Sequence, residues 1–562
     1  MKTVLIIGGA GTFGARILRL LADTGQFRLL IGGRDLARAE LVRASLPNTA
    51  VDCRRFDRND DAVTQLTALA LWAVIDAAGP FQDETRTRYR IPEACIALGI
   101  HYIDLADSRS FVTGIAALDR AARSAGVTVI SGASSVPALS HAIVAALAQG
   151  LDHVAEIDIA LSASNRATAG PSVNTAILSY VGQAIRLRRA GAWAVAYGWQ
   201  CLARKSFAVA GHRPINNRWV GLCDVPDLDL LPQRFPTITT VIFRAGAELA
   251  VQNLVLWLTS FAVRWGWLRS LRPLAPFLTT LQRLGGMLGT DRSAMSVSVS
   301  GRNHDGRSAQ HLWTLIAEDG HGPWVPSFAA TLLLQKLAAG ELSPGATPAA
   351  GLLTLEAFAP LFARFHLFTE TRRTMLPPSL YARVLGNDFR RMPVPVQSLH
   401  ALITTTEVSG RGRVERGHDP IARLIGWLFR FPPAQEDVPV TVRFTIGAAG
   451  ETWQRDFAGH RFRSRLASRR LGDRIILTET FWPLTFDFDL TGHERALEMK
   501  VKGWRVFGLP LPRKLAPQVS AGERAEGDRF TFDVRIALPW GSLIVHYRGF
   551  LEGPHQVAQN ST

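Results

Sequence analysis

The feature that most constrains this chain is a glycine pattern placed directly behind an apolar strand at its amino terminus. Thr3 to Ile7 is an uninterrupted apolar run, and it leads into Gly9-Ala10-Gly11-Thr12-Phe13-Gly14. Such a run suits a central parallel strand covered on both faces. Ile17, Leu18 and Leu21 then follow at helical spacing. In a G-x-G-x-x-G turn the first glycine permits the tight bend and the second lets a diphosphate approach the backbone. The third lets the helix pack on the strand. A diphosphate would lie at the helix amino terminus, where free N–H groups and the dipole favour negative charge. A ligand-free glycine turn is the bland alternative, and the strand before it and the helix after it speak against that. An export signal is not expected, because Val4 to Ile7 is too short an apolar core and glycines interrupt it.

The next strand, Phe27 to Ile31, ends in Gly32-Gly33-Arg34, where an NAD site would carry a ribose-binding carboxylate. A guanidinium there suits a 2′-phosphate, so NADP is expected over NAD, with Arg38 one turn later as an assistant and Asp35 as a partial counter-charge. Ala50 to Phe56 ends in Asp57, placed for the adenine edge. Trp72 to Asp76 runs into Ala77-Ala78-Gly79-Pro80-Phe81. A helix at Ile91 to Leu98, a strand from His101 to Leu105, a helix at Leu118 to Ala125 and a strand at Val127 to Ile130 complete a six-strand doubly wound count. The expected cofactor contacts are Gly9, Gly11, Thr12, Phe13, Gly14, Arg34, Asp57, Ala78, Gly79 and Pro80.

At these residues the chain resembles the saccharopine dehydrogenase (saccharopine reductase-like) oxidoreductases. The resemblance rests on GGAGTFG at the start, AAGPF at Ala77 to Phe81, ACIALGIHYIDLAD at Ala94 to Asp107 and SGASSVPALS at Ser131 to Ser140. It continues more thinly from His311 to Leu342 and covers about the first 365 residues. It implies a Rossmann domain with an α/β substrate domain and an NAD(P)-dependent oxidoreductase activity. Asp107-Ser108 stands where relatives usually carry Gly-Glu, so no particular substrate transfers.

Hydride chemistry belongs to such a cofactor, and the protein supplies orientation and a proton donor. The short-chain dehydrogenase mechanism is excluded, because no lysine has a tyrosine four residues before it. Tyr102 and Asp104, near a strand end, are the expected catalytic pair, with Tyr102 or His101 donating a proton and Asp104 orienting the donor. Hydrogen-bonded structure is the competing reading of each residue. Ser134 and Ser135 are further contact candidates, and His141 reads as a packed histidine. No metal-ligand cluster is expected. Four cysteines without a C-x-x-C pair point to a reducing, cytoplasmic setting rather than a disulfide scaffold.

At 562 residues the chain exceeds one ordinary core. Three parts are expected: a nucleotide domain over 1–150, a substrate domain over 151–368 and a mostly antiparallel β domain over 390–555. The net charge of +16 is spread over both halves, and only six of the 63 basic residues are lysine, so a nucleic-acid arm is not expected. Leu249 to Leu268 is the most hydrophobic stretch, and its tryptophans and following arginines fit burial or a lipid interface equally well, with a membrane span behind both. In the last part, Val438–Ile446, Trp453–Phe457, Arg474–Thr480, Thr485–Leu490, Ala496–Val501, Arg529–Ile536 and Ser542–Tyr547 read as short strands. That part resembles an uncharacterised bacterial domain found beside such reductases. The expected function is therefore an NADP-dependent oxidoreductase acting on a small, lipid-like or polyketide-derived molecule. The rival class is a nucleotide-binding sensor or scaffold whose last domain binds a lipid or protein. A homodimer and a peripheral membrane contact both stay open.

Overall fold

Six strands, β1 (Lys2–Ile7), β2 (Phe27–Gly33), β3 (Val51–Arg55), β4 (Ala73–Asp76), β5 (His101–Asp104) and β6 (Thr128–Ser131), lie parallel in the order 3-2-1-4-5-6. The structure is a computed structural model and describes residues 1–46, 50–82, 88–167, 170–275, 288–447 and 450–552. The strand order reverses between β1 and β4, and a ligand crevice opens at that point beyond the strand carboxyl ends. A seventh parallel strand, Gly345–Pro348, pairs with β6. Its four residues are too few for a periodicity to show in the sequence. Helix Val325–Ala338 packs on the first helix, Gly14–Ala22, and the Ser327 hydroxyl donates to the Phe13 carbonyl at 3.3 Å.

The second sheet also has seven strands, in the order Ala203–Phe207, Ile215–Leu222, Thr240–Gly246, His153–Ser162, Ser293–Arg302, Ser308–Ala317 and Leu367–Met375. Only the pair of Thr240–Gly246 with His153–Ser162 is parallel. One continuous apolar core runs from Val4 and Ile6 under the first sheet to Ile159, Val297 and Leu315 under the second. The hydrophobic stretch expected over 249–268 is a fifteen-residue helix, Ala250–Arg264. It stops where Gly266 takes φ +79°, and the Trp267 and Leu268 N–H groups fold back on the Ala262 carbonyl. Among the described residues no helix is long and apolar enough to cross a membrane.

Residues beyond 400 form an antiparallel barrel. Ten strands close on themselves through the pairing of Leu484–His493 with Ala496–Val506. Six of the seven expected strands of this region lie inside an observed one, Ser542–Tyr547 overlaps Leu543–Leu551 from its second residue, and three more complete the ring: Thr406–Arg416, His460–Leu471 and Gln518–Glu526. His460–Leu471 hides in the sequence because five arginines line its outer positions, while Phe462, Ser464 and Leu466 face inward. The barrel meets the second sheet through Arg302 to the Ala401 carbonyl (2.8 Å) and the Thr239–Thr404 hydroxyl pair (3.1 Å), and meets the turn of the separate hairpin 184–197 through Glu407 N–H to the Ala190 carbonyl (2.7 Å).

The barrel's buried side chains form their own cluster, apart from the core that joins the two sheets. Leu497 is fully buried in it. Leu497→Ala should therefore cost about 2–5 kcal/mol in the barrel alone. Urea unfolding followed by barrel tryptophan fluorescence should shift, while the transition of the first 375 residues stays in place.

Candidate dinucleotide-binding site

β1 ends at Ile7, and Gly8 turns the chain at φ +73°, a conformation that favours glycine. The turn is pinned by Gly8 N–H to the Gly32 carbonyl and Gly11 N–H to the Gly8 carbonyl, both 2.8 Å. The three motif glycines do different work. A methyl group on Gly14 would stand 2.3 Å from the Gly8 oxygen and 2.7 Å from the Gly9 Cα, so only glycine lets the helix sit this close. At Gly9 it would press on Ile31 and the Ile6 carbonyl at 3.0 Å. At Gly11 it would meet only the Gly8 oxygen, at 3.0 Å, with nothing else within 4 Å. The Gly11 side of the loop thus has room for a ligand. No side chain caps the helix start at Phe13; the Ala15 and Arg16 N–H groups bond to the Gly11 and Phe13 carbonyls, which leaves the Gly14 N–H and the helix dipole to face an anion.

At the tip of β2, Asp35 accepts the Arg38 N–H at 3.0 Å and caps helix Leu36–Ala44. That carboxylate is turned into its own helix, and the exposed Arg34 and Arg38 stand beside it. Asp57 accepts the Asn59 N–H at 3.0 Å within its turn. Its backbone is clamped by Gln65, whose amide both accepts from and donates to it at 2.9 Å.

The Ala77–Phe81 loop is organised from below by Asp76. This fully buried carboxylate accepts the Ala78 N–H at 3.0 Å and pairs with Arg58 at 3.1 Å. Arg58 also donates to the Ala78 carbonyl and covers the Phe81 ring. Tyr102 is wholly buried, with its hydroxyl 3.4 Å from Asp76. Asp104 is wholly buried too, and one of its oxygens accepts from Ser131 Oγ and from the N–H groups of Gly132 and Ala106 at 2.8–2.9 Å. Burial pushes the Asp104 carboxyl up to about 7 despite those donors. Neither side chain reaches the crevice surface. His101 lies in the strand, where its Nδ1 accepts the Thr128 N–H, and Ser135 is buried in the turn after β6. His141 is buried, and desolvation lowers it to about 3.

Other polar groups gather at the carboxyl ends of β4 and β5. Gln82 Nε2 donates to Asp107 at 2.9 Å, and burial raises the Asp107 carboxyl. Tyr180, at the end of helix Pro171–Tyr180, is pushed far up by burial and by the adjacent Cys223, with Asp107 and Asp224 adding to the effect. Arg109 joins the two sheets' elements by donating to Asp229 (2.6 Å), Asp224 (3.0 Å) and the Arg186 carbonyl (2.6 Å). The start of the Pro171–Tyr180 helix lies over the nucleotide loops, where Ser172 Oγ donates to the Gly79 carbonyl at 3.1 Å and a methyl on Gly170 would touch Thr12 Oγ1 at 2.6 Å. Thr12 and Gly79 are thus brought together with this helix. Of the crevice residues, Gln82, Arg109 and Tyr180 were not legible in the sequence. Each is an ordinary polar residue made special by a chain crossing more than twenty residues distant.

Residues 4–130 match the saccharopine dehydrogenase NADP binding domain, and residues 392–551 match a domain of unknown function, DUF4166. No curated protein matches the chain. Among solved structures, apo saccharopine dehydrogenase (L-Glu forming) from Saccharomyces cerevisiae superposes with a TM-score of 0.47 at 13% identity, over 66% of this chain and 100% of that one. GenD2 from gentamicin A biosynthesis, in complex with NAD, gives 0.31 at 15% identity over 67% and 96%. A dehydrogenase from Clostridium difficile gives 0.30 at 9% over 65% and 98%.

Behind the crevice, Asp227 accepts from Ser140 Oγ at 2.5 Å while its second oxygen has no partner, and burial pushes it up to about 7. A carboxyl raised in the native state holds its proton there while the unfolded chain has lost it. Stability should then fall as pH rises from the ordinary carboxylate range toward 7. Asp227→Asn should remove its share of this slope, seen as a smaller difference between urea midpoints at acidic and at neutral pH.

Proposed function

From a chain whose residues 4–130 are a saccharopine dehydrogenase-type nucleotide domain, we propose an NADP-dependent oxidoreductase that acts on a small, lipid-like or polyketide-derived molecule in the crevice between the two sheets. The observation that carries the cofactor choice is at the β2 tip. Asp35 is engaged as a helix cap, so it does not compete for the ribose, and Arg34 is exposed beside it to meet a 2′-phosphate. The open side of Gly11 and the uncapped helix start suit the diphosphate.

Hydride exchange at a nicotinamide is the chemistry such a cofactor supplies when bound. The chain's own residues divide the remaining work. Asp76, Arg58 and Tyr102 hold the Ala78-Gly79-Pro80 loop in shape from beneath, and Asp104 fixes the turn after β6. Both members of the expected Tyr102–Asp104 pair are therefore assigned positioning roles. Proton handling falls to Asp107 and Tyr180. Burial raises both groups above their ordinary ranges, and Gln82 orients the carboxyl of Asp107. The four cysteines stand unpaired, in keeping with a reducing cytoplasmic setting. The outward apolar side chains of helix Ala250–Arg264 favour work at the cytoplasmic face of a membrane.

Arg34→Ala should weaken NADPH by roughly 1.5–3 kcal/mol and leave NADH nearly unchanged in a fluorescence titration. An unaltered preference would defeat the NADP assignment. Gly11→Val should abolish binding of both dinucleotides with the barrel transition intact, because the side chain takes the space beside the loop. Consumption of NADPH with a lipid-like carbonyl or enoyl compound would separate an enzyme from a sensor, which binds NADPH without spending it.

A further inference from the structure

Helix Ala250–Arg264 is mounted with its polar residues inward. Asn253 and Ser260 are fully buried against the protein. The Asn253 amide donates to the Ala247 and Leu249 carbonyls (2.8 and 3.2 Å) and accepts the Ala247 N–H (3.0 Å). Ser260 Oγ accepts from Gln200, and Gln200 in turn accepts from Arg264 at 3.0 Å. The seating is close, since a methyl group on Gly182 would stand 2.3 Å from the Ser260 carbonyl oxygen. This satisfied polar face fixes the helix's rotation, and it leaves the apolar side chains facing outward. Val251 and Leu258 are 61% and 66% exposed, and Trp265 and Trp267 61% and 74%. The rings of Trp257, Phe261, Trp265 and Trp267 form a ladder with centroids 5.2–5.5 Å apart.

Both ends of this face are basic. Arg264, Arg269 and Arg272 lie at its carboxyl end. At its amino end Leu249 and Ala250 border a cavity of about 400 Å³ with Arg213, Arg218, Arg292, Asn216 and Thr290 in its wall. The one carboxylate of that wall, Glu248, is already spent on Arg218, Thr290 and the Asn165 N–H. Arg292 is paired with Glu318, and Arg213 has no carboxylate partner among the described residues. A second copy of the chain is a poor occupant. A two-fold interface brings the same patch against itself, so parallel or antiparallel packing of this face would set arginines against arginines. An anionic bilayer instead matches a row of apolar and indole side chains flanked by arginines at both ends.

We propose that this face docks on an anionic phospholipid surface, with the helix lying in the plane of the interface and a headgroup phosphate entering the Arg213–Arg292 cavity at its amino end. The proposal rests on the membrane-facing reading above and adds the headgroup site to it. At about 1.5 Å per residue the helix would lie some 22 Å along the surface. Docking of this kind is reversible and salt-sensitive, because it joins a shallow apolar contact to a few surface charges.

The test is co-sedimentation of the full chain with phosphatidylcholine vesicles and with vesicles that also contain phosphatidylglycerol. The expected result is strong, salt-reversible sedimentation with the anionic vesicles and weak sedimentation with the neutral ones. Arg213→Gln with Arg269→Gln and Arg272→Gln should weaken the anionic binding about fivefold per arginine and leave the neutral binding unchanged. Leu254→Ser with Leu258→Ser and Trp267→Ser should lose both, with an unaltered thermal melt, because these side chains point away from the core. Sedimentation with neither vesicle would defeat the membrane-facing reading itself. Equal sedimentation with both, unmoved by the arginine changes, would leave that reading standing and overturn the headgroup site. A dimer broken by Leu258→Ser would show that the face is already covered and overturn the proposal. Binding of inorganic phosphate without vesicle binding would do the same.

Discussion

At Gly14 the first helix approaches the end of the first strand so closely that a methyl group would stand 2.3 Å from the Gly8 oxygen. Everything the nucleotide domain offers a ligand depends on that contact. It aims the uncapped helix start at the mouth of the β1–β2 turn and keeps the Gly11 side open. Pairing with β2 and β4 places β1 at the reversal of strand order, so that the loops after β1, β2 and β4 converge on one crevice. The helix is held in this position from its other side by Val325–Ala338, a segment more than three hundred residues away, through the Ser327–Phe13 hydrogen bond and a shared apolar core.

The crevice has two tiers of polar groups with different duties. Beneath the loops, Asp76, Arg58 and Tyr102 bond to one another and to the backbone at the high cost of burying charge, while Asp104 holds the turn after β6 through one oxygen and leaves the other unpartnered. Their benefit is a fixed Ala77–Phe81 loop. At the carboxyl ends of β4 and β5, Gln82, Asp107 and Tyr180 come together, and the Arg109 bridge to Asp224 and Asp229 ties the second sheet to the first. The barrel adds a third element that contacts the second sheet and encloses a separate core.

Local pattern made much of this legible. The glycine motif, the six parallel strands and seven of the barrel strands are written in runs of neighbouring residues, where a periodicity or a turn signal suffices. The seventh parallel strand is four residues long and is defined only by its pairing with β6. The barrel strand at His460–Leu471 is concealed by its outward arginines. Site roles were harder to read than elements. Tyr102 and Asp104 alternate with apolar residues at a strand end, as catalytic side chains often do, but the same alternation points them into the layer below the crevice. The outward apolar face of helix Ala250–Arg264 could not be read from hydropathy, because its rotation is set by Asn253 and Ser260 finding partners inside.

The central claim is that these loops hold NADP with its reactive ring facing Asp107 and Tyr180. A crystal structure of the full chain grown with NADPH tests it most directly. The account predicts the 2′-phosphate on Arg34, the diphosphate against Gly11 and the start of the first helix, and the nicotinamide between the Ala78–Pro80 loop and Gln82. A phosphate bound away from Arg34, or a nicotinamide turned toward solvent and away from Asp107, would contradict it.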